Sequence, residues 1–441
     1  MSDPVSPDMM TGAGRFAEYG TSGLRRSGGR IIDDFLLQLQ GRRGTAIYRE
    51  MSENHPIVGG VLAAIDMLFR SVEWSVEPAD ENNQAAVDEA EFVASCMTDM
   101  STSWEDMISA ALGFLVHGYS IHEIVYKRRA GETGDTKSLH DDSRVGWRKL
   151  PGRAQDTITE WVIDDNGGIL GAIQTPTITG GSSTGGHGPV FLPIEKCLLF
   201  RTSSKLNNPE GRSILRSAYT SWFYQRRIAE IEAIGIERDL AGMPVALVPP
   251  QLLSSSATAA ETAALDGIRT LVENIRRDEQ EGIVFPLAYD QDSGNLSYEL
   301  KLLTTGGRRQ FDTNAVITRY DTRIAMTMLA DFLLVGHDRV GTQSLALAKI
   351  ELFQDSIAAY LSVLTDVFNT HAIPRLLRIN GVAPDLTPIL RHSSPRSPDL
   401  QTLADYVSEL TRSGAIVPDP ELDAHMREVA GLPIAETETI M

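Results

Sequence analysis

Three long stretches of helical periodicity fill the second half of the chain and restrict most strongly what it can become. The first runs from Ser213 to Asp239, about 40 Å of helix at 1.5 Å per residue. Leu215, Ala218, Trp222, Ala229, Ala233 and Ile236 make one apolar stripe, and Ile214, Phe223, Ile228 and Ile234 widen it. A stripe that wide predicts a helix with neighbours on more than one side. The second stretch runs from about Phe311 to Leu334. The third, about Thr342 to Asn369, repeats apolar residues at four- and three-residue steps (Ala346, Ile350, Phe353, Ile357, Tyr360, Leu364, Val367). That spacing is one amphipathic face. Gly242-Met243-Pro244 ends the first helix. Residues 243–304 then read as a small α/β insert, with a strand at 245–248, a helix at 257–277 and strands at 282–287 and 296–302. Gly336-His337-Asp338-Arg339-Val340-Gly341 joins the second helix to the third, and its bracketing glycines let the backbone turn sharply and move.

The chain before these helices has a different texture. Residues 58–69 have helical spacing, 73–77 alternate as a strand, and helices follow at 83–97 and 102–117. The second of these opens with a Thr102/Ser103 cap and an early Glu105, a helix-start signal. Residues 119–127 alternate again. Residues 160–163 and 169–174 flank Asp164-Asp165-Asn166-Gly167-Gly168, a strong hairpin signal. Residues 180–188 read as a surface loop and 190–200 as a further strand region. The class is α+β with a largely antiparallel sheet. Residues 1–50 are rich in Gly, Ser and Arg around one apolar piece, Ile31 to Leu39. They predict either an extended arm, which needs a partner surface to become ordered, or a free tail. Near the other end, Ser397-Pro398 and Asp419-Pro420 open two short helices that stop at Gly414 and Gly431, by the usual proline and glycine punctuation.

Charge matters for partners. Fifty-nine acids against 40 Lys+Arg leave −19, whereas proteins that grip nucleic acid usually carry a basic surplus. Tight non-specific DNA binding is disfavoured, but passage of DNA without sticking is not. Two cysteines, Cys96 and Cys197, exclude a disulfide scaffold and a Cys-rich metal site and fit a reducing compartment. The N-terminus lacks a signal-peptide pattern, and the uncharged stretch 240–260 is broken by prolines and serines, so no membrane segment is expected. The chain reads as soluble and intracellular, or as part of a particle assembled inside a cell.

Catalytic patterns are missing. There is no P-loop and no HExxH, so nucleotide-phosphate and zincin chemistry lose their usual carriers. His117, His122 and Glu123 come nearest to a metal set, but packing or surface roles fit them better. Asp164-Asp165 and Asp278-Glu279 are sequence neighbours whose side chains diverge. Gly306-Gly307-Arg308-Arg309 fits either a phosphate or a hinge. The five tryptophans sit in apolar patterns and are expected in the core. Neither an enzyme activity nor a cofactor or metal is expected.

The order of parts carries a resemblance. The residues are His55-Pro56-Ile57-Val58-Gly59-Gly60, Trp74-Ser75-Val76-Glu77-Pro78 and His117-Gly118-Tyr119-Ser120-Ile121-His122-Glu123-Ile124-Val125-Tyr126-Lys127. The most specific block is Gly211-Arg212-Ser213-Ile214-Leu215-Arg216, continuing through Ile236-Glu237-Arg238-Asp239-Leu240-Ala241-Gly242-Met243-Pro244. Leu403-Ala404-Asp405-Tyr406-Val407 and Gly414-Ala415-Ile416-Val417-Pro418-Asp419-Pro420 follow. Over roughly residues 45 to 433 the chain resembles the portal proteins of tailed bacteriophages, especially the Mu-like branch.

The resemblance implies a phage portal fold and a ring, usually of twelve copies, at one capsid vertex of a virion assembled in the host cytoplasm. It implies an N-terminal arm at 1–50, an α+β wing at 51–210, a first stem helix at 211–242, a clip at 243–304 and a second stem helix at 305–335. A tunnel loop at 336–342 (Gly336, His337, Asp338, Arg339, Val340, Gly341, Thr342), a long wing helix with its return at 343–396 and a helical crown and tail at 397–441 complete it. Leu215, Trp222, Arg226, Ile236, Arg319 and Arg323 would face neighbouring subunits. Glu273, Arg276, Arg277, Asp278 and Glu279 would form the clip surface for the large subunit of terminase and a head-tail adaptor. The major capsid protein and double-stranded DNA in transit are further implied partners, with no membrane. The alternatives are another oligomeric virion scaffold or adaptor, or an uncharacterised intracellular α+β enzyme. The number and length of the helices after residue 211 argue against a capsid shell fold.

Overall fold

A computed structural model describes residues 20–133, 136–175, 188–241, 243–274, 298–303, 312–334, 343–395, 407–413, 419 and 427. The chain divides into two compact units. One holds Ser217–Thr327, and the other holds the residues on either side of it.

In the flanking unit, a small hairpin of β1 (Arg26–Ser27) and β2 (Arg30–Ile31) leads into α1 (Gly41–Asn54) and α2 (Pro56–Arg70). The chain continues through β3 (Trp74–Glu77), α3 (Gln84–Thr98), α4 (Trp104–Ala111) and α5 (Gly113–His117). Strands follow: β4 (Tyr119–Glu123), β5 (Val125–Arg128), β6 (Val145–Lys149), β7 (Gly152–Arg153), β8 (Ile158–Ile163), β9 (Ile169–Gln174), β10 (Val190–Pro193) and β11 (Cys197–Arg201). The second unit contains α6 (Tyr219–Ala241), β12 (Met243–Leu247), α7 (Ala259–Asn274), β13 (Glu299–Leu303) and α8 (Thr313–Thr327). The first unit resumes with α9 (Gln343–Val367), α10 (Ile373–Ile379) and β14 (Ile389–His392), and residues 407–412 are helical.

Every pairing among the described strands is antiparallel, in several small sheets rather than one. The β8–β9 hairpin forms around Asp164, whose Oδ1 accepts from the Asn166 and Gly168 amides. Its sheet runs β10-β9-β8. Ile158, Trp161, Ala172 and Leu192 point from this sheet into a core shared with Tyr119, Ile121 and Cys197. β14 returns from far along the chain to pair with β3. Phe353, Ile357, Leu361, Leu364 and Phe368 form the buried face of α9 and its continuation. They drift past the expected Tyr360 and Val367 because 3.6 residues per turn does not keep a strict seven-residue repeat.

Several boundaries depart from the sequence reading. Residues 20–50 are not an extended arm: the chain's own β8 supplies the partner surface, Ile31 and Leu39 are buried, and α1 starts at Gly41. The helix expected at 102–117 breaks at Leu112, between α4 and α5. The strand at 119–127 is interrupted at Ile124, which is buried between β4 and β5. Residues 190–200 split into two strands of different sheets across a 3-10 turn at Ile194–Lys196. α6 begins at Tyr219, after a 3-10 turn at Ile214–Arg216, so the expected start at Ser213 is early. α8 stops at Thr327, well short of Leu334, where Leu329 takes a positive φ of 57°. α9 does not end at Asn369 but passes through a π-helical turn, Phe368–Ala372, into α10.

Candidate assembly surfaces

Two segments of the flanking unit cross in close contact. Gly118 ends α5 with φ of 92°, and a Cβ there would sit 2.4 Å from the Glu210 carbonyl oxygen. Gly211, with φ of 55°, approaches from the other side; its Cβ would lie 2.2 Å from the Gly118 carbonyl oxygen. Only glycine satisfies both the handedness and the contact. The Thr202 amide donates to the Gly118 carbonyl at 3.1 Å, and the Thr202 hydroxyl donates to the Arg212 carbonyl at 2.6 Å. Arg216 then forms a two-point pair with Asp34 (Nη2 to Oδ1, 2.9 Å; Nε to Oδ2, 2.5 Å), a geometry that fixes orientation as well as charge.

A cavity of about 320 Å³ lies beside this crossing, lined by Asp34, Tyr48, His117, Glu210, Arg212 and Arg216 among others. Burial pushes the Glu210 carboxyl up to about 7, opposed by the hydrogen bond it accepts from Trp161 Nε1 at 3.3 Å. Burial, with Arg49 nearby, holds His117 down at about 4. The three residues that come nearest to a metal set in the sequence have other partners or places. His122 is buried between Ser120 Oγ (2.9 Å) and the Leu150 carbonyl (2.8 Å), and Glu123 pairs with Arg153. Among the described residues no group of three His, Cys, Asp or Glu is arranged to hold a metal ion, and no helix is long and apolar enough to cross a membrane. Trp104, Trp147, Trp161 and Trp222 are buried, and Trp74 is half-buried.

In the second unit, α6 packs along α8, and Thr313 Oγ1 donates to Glu232. Arg226 is exposed on α6, pairs with Glu230 at 3.2 Å and lies 5.7 Å from the Trp222 ring centre. Arg319 and Arg323, both exposed, flank the Tyr320 ring at 5.4 and 5.9 Å. Leu215 is fully buried in the flanking unit and Trp222 is 5% exposed. Among the described side chains of α6, the large apolar residues left open are Phe223, Tyr224, Ile231 and Ile234, with Met326 open on α8. Phe223 and Ile234 are the residues that widened the sequence stripe. Tyr224 and Ile231 lie off it, and no sequence signal marks them. Ile236 lies in α6, and Glu273 in α7. Arg276, Arg277, Asp278, Glu279 and the loop from Gly336 to Thr342 lie outside the described residues, as do the 180–187 loop and most of the two C-terminal helices.

A family model described as the portal protein of Mu bacteriophage matches residues 45–432. This chain belongs to that portal family. The family is a structural one rather than an enzyme family, and the α+β portal fold follows from membership. A search of curated proteins finds no match. Among solved structures, the chain is similar to the neck of an empty gene transfer agent particle with C6 symmetry. There the identity is 12%, the TM-score 0.50, and the match covers 89% of this chain and 94% of that one. It is also similar to a chain of the native gene transfer agent virion (11% identity, TM-score 0.49, 93% and 97% covered). An HK97-family phage portal protein from Corynebacterium diphtheriae is a further similar structure (11% identity, TM-score 0.37, 81% and 96% covered). At such identities the likeness concerns the fold.

Proposed function

We propose that this portal-family chain assembles into a closed ring of twelve copies at one capsid vertex and forms the channel for DNA packaging and ejection. The observation that carries the reading is the portal-family match over residues 45–432. The open apolar residues of α6 support it, since a ring must bury a heterologous surface on both sides of every copy. In this reading α6 and α8 are the stem, β12, α7 and β13 belong to the clip, and α9 with the β-rich segment forms the wing. The charge of −19 suits a conduit, because an acidic lining repels phosphate and keeps DNA moving. The clip, at −5 over residues 241–304, docks the large subunit of terminase and later a head-tail adaptor through basic patches on them. The wing meets the major capsid protein, and residues 336–342 are the tunnel loop.

Electron micrographs of the purified full chain test the ring: annular particles with a central hole are expected, and uniform monomers at every concentration would contradict it. For the loop, Arg339→Glu should leave rings intact and change the amount of DNA packaged.

A further inference from the structure

The sheet β10-β9-β8 has two unlike edges. At the β8 edge, the Trp161 amide donates to the Gly29 carbonyl at 2.7 Å, and Arg26 donates to the Ile163 and Asp164 carbonyls at 3.1 and 3.0 Å. The chain leaving this hairpin is pinned by buried Ile31, by the Asp34–Arg216 pair and by buried Leu39. Between the pins, Ile32 is 42% exposed, Phe35 92% and Leu37 77%. A held strap that shows its largest apolar groups to solvent has the character of an interaction surface. At the opposite edge, β10 pairs only with β9 among the described residues. Val190 and Phe191 are 40% and 50% exposed there, and the Phe191 ring lies over Gly171, where a Cβ would come within 2.7 Å of it.

We propose that the strap 32–37 of one copy seats on the β10 edge of the next copy. The inference rests on the ring reading and names a contact for it. Opposite edges of one sheet give a head-to-tail contact, which propagates around a ring, whereas strap against strap would stop at a dimer. An open strand edge accepts an added segment. Charge agrees: Asp33 in the strap and Lys196 beyond β10 are exposed, and neither has an ion-pair partner among the described residues.

The test mixes two full-length variants. Phe35→Asp with Leu37→Asp removes the strap's apolar groups; Val190→Asp with Phe191→Asp removes those of the edge. Each variant alone should lose ring yield by at least about tenfold, with a circular-dichroism spectrum like that of the wild type, because neither pair is part of the buried core. Mixed, the intact strap of one meets the intact edge of the other, so mass photometry should show dimers that do not grow into rings. Wild-type rings with all four substitutions tolerated would overturn the contact alone. A wild-type chain that forms no ring would overturn the ring reading, and the contact with it.

Discussion

A carboxyl group that accepts one indole hydrogen bond at the wall of a cavity, with little access to solvent, gives up its charge readily. Glu210 has a native pKa near 7 against an ordinary 4.5, so folding favours its protonated form. That stabilisation is complete below about 4.5, declines as pH rises toward 7 and is gone above it. Glu210→Gln should therefore flatten the pH dependence and stabilise the chain at pH 8 by on the order of 2 kcal/mol, read from urea melts at pH 5 and pH 8. A variant with the wild-type pH slope would show that Glu210 is ionised throughout. Asp99 poses the opposite case. It and Lys127 are a buried pair at 3.0 Å, and Asp99 also accepts from Ser138 Oγ and the Leu139 amide. Asp99→Ala leaves a buried ammonium ion without its counter-charge and should cost about 3–5 kcal/mol. Ser138→Ala should cost only about 1 kcal/mol. A third residue-scale expectation concerns Gly118→Ala, which combines a left-handed backbone with a carbonyl collision. It should lower stability by about 2 kcal/mol or more, and a neutral melting temperature would mean that the crossing relaxes.

Helix α9 is the element whose contribution is simplest to measure. Ile357 is fully buried and Leu352 is 54% exposed on the same helix. Ile357→Ala should cost about 2–5 kcal/mol and Leu352→Ala less than about 1 in parallel chemical melts; equal costs would mean that Leu352 is covered in solution by another copy. The helix itself was legible because its apolar spacing is local. The β8–β9 hairpin was legible for the same reason, through the Asp-Asp-Asn-Gly-Gly turn. The strap was not, because Ile31 is buried by strand β8, about 130 residues away in the chain, and nothing near Ile31 reports that. The early stop of α8 was invisible too, since Leu329 adopts a positive φ without a glycine or proline to signal it. Of the candidate interface residues, Leu215 went astray because a periodic apolar position reads alike whether its own chain or a neighbour buries it. Nothing in the sequence marks Glu210; the indole that hydrogen-bonds it, Trp161, comes from a strand 49 residues earlier.

At the scale of the whole molecule, net charge should govern assembly. Copies of −19 repel one another, and salt shortens that repulsion to a Debye length of about 10 Å at 0.1 M and about 3 Å at 1 M. Ring yield should therefore rise with added sodium chloride, as followed by sedimentation velocity; a fall would mean that ion pairs between copies outweigh the net charge. The two units also differ in continuity along the chain. Ser217–Thr327 is a single stretch, while the other unit is completed by β14 pairing with β3, His392 against Trp74. During synthesis the ribosome delivers Trp74 early and His392 near the end. The contiguous unit can therefore organise while its host still lacks a strand. A nascent chain halted before Ile389 lacks the strand that pairs with β3, so its Trp74–Glu77 edge stays open until the last part of the flanking unit has been made.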